Sequence, residues 1–404
     1  MLKNVFFLII VGVFYIFTVR GELMKGLSNR TLRPLYRRKV IKTLLQYGPI
    51  SRTDIATKLN ISKATVSSIS EELLKKNLIA ESSIAASTGG RKAILYDINR
   101  NGGYIISLEI TPTYISGTLL DLHVNMISDT CSETNKEYSA SFNIILETIN
   151  SLIKEMPKEQ PLIGISINFR GTVSKDNVIK YFDYDSWRSR NLLEDLSKHY
   201  SCLINLNNEA NARAYYNSVH LDNSDLTLIT MGTGVGLGIV EDNQIYLGYH
   251  GYAGEIGHII VEPDGIPCPC GNNGCLESYI STIEILKRLS TKKNKAITIN
   301  DFKYLYSQND IDVLEVVNDF YKYLAIATNN VINIFNPKYM ILSSEVIDSI
   351  PNFIEIFKQK LNSKVSDYER LIIFSNNRSG AIGGAYLLLR DFFDIEFYIK
   401  NGNK

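Results

Sequence analysis

The chain has 404 residues, 45% of them hydrophobic and 21% charged, which excludes a disordered or disulfide-stapled protein and leaves room for two or three domains. The formal net charge of +1 hides a split. Residues 25–100 carry 15 Lys+Arg against 5 Asp+Glu, a net of +10, while the rest carries 28 against 37, a net of −9. A basic head on an acidic body suggests a nucleic-acid reader attached to a domain of another kind.

Asn4–Val19 is apolar and uncharged, between Lys3 and Arg20. It is shorter than the roughly 20 residues a spanning helix needs, and no small-residue cleavage site comes after it. A membrane anchor and a secretion signal are the alternatives. The preferred reading is that residues 1–23 form an upstream leader and the working protein starts at Met24, because the segment from Met24 onward reads DNA and belongs in the cytoplasm.

Residues 24–97 predict a winged helix-turn-helix. Leu32, Leu35, Tyr36, Val40, Ile41, Leu44 and Leu45 recur at helical spacing, and Gly48-Pro49 ends that helix. Ser51 is placed as the cap of a second helix, with Asp54 three residues on. Asn60-Ile61 form the turn, and Ser62 caps a third helix running to about Lys76. Val66, Ile69, Leu73 and Leu74 are its inward face. Its first turns present Lys63, Ala64, Thr65, Ser67 and Ser68, the small polar surface and single charge that suit a recognition helix. Ser51 and Arg52 join the predicted DNA contacts. A β-hairpin starts at Leu78-Ile79, with Ala93–Asp97 as its return strand. Its tip, Ser87–Lys92, makes Gly90, Arg91 and Lys92 the contacts of a wing. The competing reading is a three-helix domain used for protein contacts.

Residues 98–392 read as a two-lobed α/β body, with a tail at 393–404. Strands are predicted at Tyr104–Ile110, Tyr114–Leu122, Leu162–Ile167, Leu203–Leu206, Leu226–Thr230 and Met340–Leu342. Helices are predicted at Ser141–Ile153, Val313–Phe335 and Gly380–Leu389. Gly232–Gly238 reads as a glycine-rich turn. A phosphate loop and close strand packing both explain it.

Gly254-Glu255-Ile256-Gly257-His258 and Cys268-Pro269-Cys270-Gly271-Asn272-Asn273-Gly274-Cys275-Leu276-Glu277 carry a resemblance. From Tyr104 to about Leu389 the chain resembles the ROK family of repressors and sugar kinases, and the head matches the repressor branch. The resemblance implies an actin/hexokinase-like (ribonuclease H-like) fold. Three thiols within eight residues suit one tetrahedral zinc. Spacing leaves His250 and His258 open as the fourth ligand, and the family motif selects His258. The expected cofactor is structural Zn2+ on His258, Cys268, Cys270 and Cys275.

Asn208, Glu209, Glu255, His258 and Glu277 match the sugar-contacting positions of the family. Arg170-Gly171 and Trp187 fall where the family's pocket edge lies, and the tryptophan reads equally as a sugar platform or a core residue. Phosphoryl transfer is not expected. Family kinases have Asp-x-Gly-Gly-Thr where this chain has Glu109-Ile110-Thr111-Pro112-Thr113. The family's catalytic aspartate falls at Glu209, and Ser343-Ser344-Glu345 stands where nucleotide-binding members have glycines.

The resulting expectation is a non-catalytic, sugar-responsive repressor. Glutamate in Asn208-Glu209-Ala210-Asn211 resembles the xylose-responsive repressors, so xylose is the favoured effector. Its partners would be operator DNA, a monosaccharide and a second copy of itself, as a homodimer or a tetramer, with no membrane partner. A family sugar kinase, and a DNA-binding protein with a degenerate body that senses nothing, are the alternatives.

Overall fold

The computed structural model describes residues 29–84, 93–221, 225–373 and 378–396. They divide into two compact units. One reaches Ile98 and includes Phe393–Ile395; the other runs Asn99–Phe392 and resumes at Glu396. No helix among the described residues is long and apolar enough to cross a membrane. The apolar leader and the wing tip, with Gly90, Arg91 and Lys92, lie outside them.

In the first unit α1 (Asn29–Tyr47) buries Val40, Ile41, Leu44 and Leu45. After the short β1 (Ile50–Ser51), α2 (Arg52–Leu59) starts at Ser51, whose Oγ accepts from Asp54 N at 3.1 Å. Asn60, in the left-handed region at φ 51°, stops α2 and reverses the chain. Ser62 then caps α3 (Lys63–Lys75) by accepting from Thr65 N at 3.0 Å. α3 seats Val66, Ile69 and Leu73 in the core. β2 (Ile79–Ile84) and β3 (Ile94–Ile98) form an antiparallel pair, and β1 adds to the other edge of β3. Three helices against a three-stranded antiparallel sheet make a winged helix.

The second unit builds one strand pattern twice. Its first half contains β4 (Tyr104–Ile110), β5 (Tyr114–Asp121), β6 (Met126–Glu133), α4 (Tyr138–Glu155) and β7 (Leu162–Phe169). A small hairpin of β8 (Thr172–Val173) and β9 (Ile179–Tyr181) precedes α5 (Leu192–Ser197) and β10 (Leu203–Asn208). The five-stranded sheet has the order β10-β7-β4-β5-β6. β7 is parallel to β4 and β10, while β5 is antiparallel to β4 and β6.

The second half contains α6 (Glu209–His220), β11 (Leu226–Met231), β12 (Val235–Glu241), β13 (Gln244–Ile245), α7 (Glu277–Ile280), α8 (Thr282–Lys293), α9 (Ile299–Ser307) and α10 (Ile311–Phe335). β14 (Tyr339–Ser344), α11 (Glu345–Asp348), α12 (Phe353–Lys358), β15 (Leu371–Ile373) and α13 (Ser379–Phe393) complete it. Its sheet order, β13-β12-β11-β14-β15, repeats the first in both sequence and strand direction. This duplicated five-stranded unit is the ribonuclease H-like, actin/hexokinase-like fold.

Each half has its own core. Ile106, Leu108, Ile165 and Ile167 pack with Ile145 and Ile149 of α4 in the first. Ile229, Met340 and Leu342 pack with Val316, Phe320 and Leu324 of α10 in the second. Trp187 belongs to the first core. It is 0% exposed and lies against Tyr138, Phe169 and Phe182, so a sugar cannot stack on it.

The predicted Gly232–Gly238 turn is shorter than expected, because β12 already begins at Val235. Gly236 and Gly238 are strand residues pressed against α6. A methyl on Gly236 would come to 2.9 Å from Ala210 Cβ, and one on Gly238 would strike the Ala210 carbonyl. Helix–sheet packing therefore explains these two glycines, and only Gly232 and Gly234 remain in the turn.

Candidate DNA surface, sugar cleft and metal knuckle

On the head, Ser62, Lys63, Ala64 and Ser68 are exposed and Thr65 and Ser67 half-buried, all on the first turns of α3. Ser51 is buried, with its hydroxyl donating to the Asp54 carboxylate at 2.7 Å; it caps a helix and leaves the set of surface contacts. Arg52 is half-buried, lies over the Tyr96 ring at 4.7 Å and pairs with Glu71 at 3.8 Å. Arg33 Nη1 donates to Ser68 Oγ at 3.2 Å, which adds a cation beside the exposed turns that helical periodicity in α1 did not reveal.

The predicted cleft falls where β4, β7 and β10 end and where α6, the Gly232–Gly234 turn and α7 begin, segments that meet through Arg170, Thr172 and Glu277. Thr172 Oγ1 donates to Glu255 Oε1 at 3.0 Å. Glu277 Oε2 accepts from Val235 N at 2.9 Å. Burial raises both carboxyls above the ordinary range. The hydrogen bond from Thr172 opposes this at Glu255, and the backbone bond from Val235 opposes it at Glu277. Glu255 and His258 flank Gly257, where an added methyl would lie 3.3 Å from Glu277 Oε2, and the Tyr181 ring is edge-on to His258 at 5.9 Å.

Asn208 sits at the same end of the cleft but is largely committed. Its Oδ1 caps α6 by accepting from Ala210 N at 2.9 Å, and its Nδ2 donates to Gly171 O at 3.2 Å. Thr172 and Tyr181 belong to no sequence motif and join the site only in three dimensions.

The other predicted sugar residue, Glu209, is 6% exposed and ion-paired with Arg213 one turn along α6. Burial pushes its carboxyl up, but Arg213 and then Arg170 overcome this and hold it below the usual range. Arg213 Nη2 also reaches Glu109 Oε1 at 3.4 Å, and its Nη1 donates to Ser379 Oγ at 3.0 Å. Burial pushes Glu109 up to about 7, against the pull of Arg213 and with a further push from Glu209.

Glu109 therefore holds a proton in the fold that an unfolded carboxyl, at 4.5, has already released. Stability on its account falls as the pH rises from 4.5 to about 7 and is then level. Glu109→Gln is expected to gain up to ~3 kcal/mol at pH 8 and less than ~1 kcal/mol at pH 5. Urea unfolding at the two pH values checks this, and an equal gain at both would contradict it.

The glycine turn is filled from within. Arg170 Nη2 donates to Gly234 O at 3.1 Å, and Glu277 occupies the Val235 N–H. The Glu109–Thr113 stretch closes on itself, with Thr111 N donating to Tyr114 O at 2.9 Å and the Pro112 carbonyl taken by Tyr184 Oη at 2.8 Å. Of the N–H donors that could cradle a phosphate, those of Thr111, Thr113, Tyr114, Gly232 and Val235 are engaged by this chain's own residues.

Beside the cleft, His258, Cys268, Cys270 and Cys275 bring one ligand atom each to within 4.8 Å of one another. Cys270 Sγ lies 3.6 Å from Cys275 Sγ, and Cys268 Sγ 3.7 Å from His258 Nδ1. Ideal tetrahedral bonds to zinc give about 3.8 Å between sulfurs and about 3.6 Å between sulfur and nitrogen, so the four fit one such ion. Gly271 and Gly274, at φ 102° and 74°, let the chain curl around the site. Ile260 pairs with Cys275 and Pro267 with Asn273 across the knuckle. A metal on Nδ1 leaves Nε2 of His258 for the cleft.

The molecule is therefore a winged helix joined to a duplicated ribonuclease H-like domain that carries a Cys3His cluster able to hold a metal ion. The ROK family model matches residues 105–391, and the chain belongs to the ROK family. The MarR family model matches residues 37–84, within the head. The chain is 30% identical to the xylose repressor of Bacillus subtilis, over 90% of this chain and 97% of that one. It is 31% identical to the xylose repressor of Bacillus spizizenii, with the same coverage. Among solved structures, a ROK family transcriptional regulator aligns with TM-score 0.75 at 24% identity, over 90% of this chain and 97% of that one. A ROK family glucokinase from Streptomyces griseus aligns with TM-score 0.61 at 20% identity, over 70% and 99%.

Proposed function

We propose that this protein is a cytoplasmic, sugar-responsive transcriptional repressor, that xylose is its effector, and that it binds the sugar without phosphorylating it. The observation that carries the reading is the division of labour among the carboxylates. Glu255 and Glu277 stand beside His258 in the cleft. Glu209, at the position of the kinase base, is held ionised by Arg213 and poorly suited to accept a proton. The near-complete alignment with two xylose repressors supports the choice of effector.

In this reading Glu255, Glu277 and Nε2 of His258 bind vicinal hydroxyls, with Asn208 and Glu209 at the cleft's base. The Cys3His knuckle holds a structural zinc, favoured over magnesium or calcium by its three thiols. The zinc fixes the His258 ring and ties residues 254–258 to Glu277. The protein acts as a homodimer, because one winged helix offers a small interface and paired heads read two half-sites. A thermal-shift panel of monosaccharides tests the assignment. D-Xylose should raise the melting temperature; a panel in which no sugar does so would defeat it.

DNA contact is assigned to Ser62–Ser68 with Lys63 at a phosphate, and to Arg91 of the wing. Lys63→Ala should weaken operator binding and reduce the slope of log affinity against log salt by about one unit. An unchanged slope would remove Lys63 from the phosphate contacts.

A further inference from the structure

Arg213 is an unusual residue to bury. Its side chain is 13% exposed, and it meets two carboxylates and a serine on three separate elements: Glu209 of α6, Glu109 at the end of β4, and Ser379 at the start of α13. β4 belongs to the first sheet, and α6 packs on β11 and β12 of the second sheet and also on β10 and β7 of the first. One guanidinium therefore joins the end of β4 to a helix shared by both halves. Gly380 completes the fit, since a methyl there would strike the Glu109 carboxylate.

Ion clusters of this kind stabilise little when desolvated, and apolar packing would serve the fold as well. What the guanidinium supplies that apolar packing cannot is a fixed orientation and a fixed charge for Glu209. Arg213 and then Arg170 hold that carboxyl ionised against its burial. An ionised carboxylate accepts hydrogen bonds at both oxygens, and one already anchored by a rigid fork needs no reordering when a hydroxyl arrives.

We propose that Arg213 is a positioning residue for the sugar response. It holds Glu209 as an oriented acceptor at the cleft's base, and its own bonds to Glu109 and Ser379 keep the guanidinium in place for that task. This rests on the reading of the cleft as a sugar site. Arg213 itself touches no sugar; its effect passes through Glu209.

A double-mutant cycle with D-xylose, read by titration calorimetry, tests this on the full-length protein, with operator affinity measured alongside. Arg213→Met should bind operator as the wild type does and lose at least tenfold in sugar affinity, and Arg213→Lys should recover most of that loss. In a Glu209→Gln background, Arg213→Met should change sugar affinity by less than about threefold, because its target has already been neutralised. If Arg213→Met alone fails to fold, comparing Glu209→Gln with the Glu209→Gln/Arg213→Met double variant still decides. A tenfold gap between those two, or wild-type sugar affinity in Arg213→Met, overturns the proposal. A wild-type protein that binds no monosaccharide at all would instead defeat the sugar-site reading on which it rests.

Discussion

Glu255→Gln is expected to yield a protein that holds its operator and no longer lets go when sugar is added. The substitution preserves shape, and the amide oxygen can still accept from Thr172, which donates to Oε1 at 3.0 Å. What changes is the other oxygen, which becomes an NH2 donor facing a hydroxyl that also needs an acceptor. Hydrogen bonds to a charged group contribute about 1.5–3 kcal/mol, so sugar affinity should fall roughly 10- to 100-fold. The fold should persist, since burial already raises the Glu255 carboxyl and makes loss of its charge inexpensive. The head is a separate compact unit, so operator affinity without sugar should be unchanged. Gel-shift titrations with increasing xylose check this; release at the wild-type sugar concentration would remove Glu255 from the site.

Loss of the proposed zinc should have an effect of similar size by a different route. Cys275 is fully buried, and its main chain pairs with Ile260 across the knuckle. Burial pushes its thiol up to about 12 and raises Cys268 as well, so a bound cation is what would keep these sulfurs as thiolates. Cys275→Ser leaves three ligands and frees the His258 ring, which in this account faces the sugar. The wild type is expected to carry one zinc per chain and the variant almost none. Sugar affinity should drop at least tenfold, together with the melting temperature of the body. Elemental analysis and calorimetry on the same samples check both statements. A zinc-free variant with wild-type sugar affinity would make the knuckle irrelevant to the cleft.

Much of the fold is legible where periodicity and capping agree. β4 occupies Tyr104–Ile110 as predicted, and the two helix caps at Ser51 and Ser62 form with the expected N–H partners. β6 escapes because Met126–Glu133 is an edge strand, mostly exposed and polar, with no buried face to alternate against. The glycines of Gly232–Gly238 look like one motif, yet two of them serve the packing of α6 on β12. Composition could not separate the two roles for Trp187, because a tryptophan suits a core as well as a pocket rim.

The metal knuckle is legible for a local reason: three of its ligands lie within eight residues, and the curl of Gly271 and Gly274 can be read from the same stretch. The hub at Arg213 is not. Its partner Glu209 is one helical turn away, but Glu109 and Ser379 lie more than a hundred residues off in either direction and meet it only through the pairing of β4 with β7 and the packing of α13. Sequence pattern shows residues that share an element, whereas residues that share a junction need the tertiary structure.

The head and the proposed sugar residues belong to different compact units, and in the proposed reading sugar acts on DNA through a change in conformation. Such couplings usually amount to about 1–3 kcal/mol, roughly 5- to 150-fold in affinity, and they are reciprocal. The most direct measurement is a titration of the full-length protein–operator complex with D-xylose, with and without ATP and magnesium, while the mixture is assayed for sugar phosphate. The account predicts release over a roughly 5- to 150-fold range of operator affinity, the same curve with and without ATP, and no phosphorylated sugar. Release that requires ATP, or turnover of xylose to a phosphate ester, would contradict it.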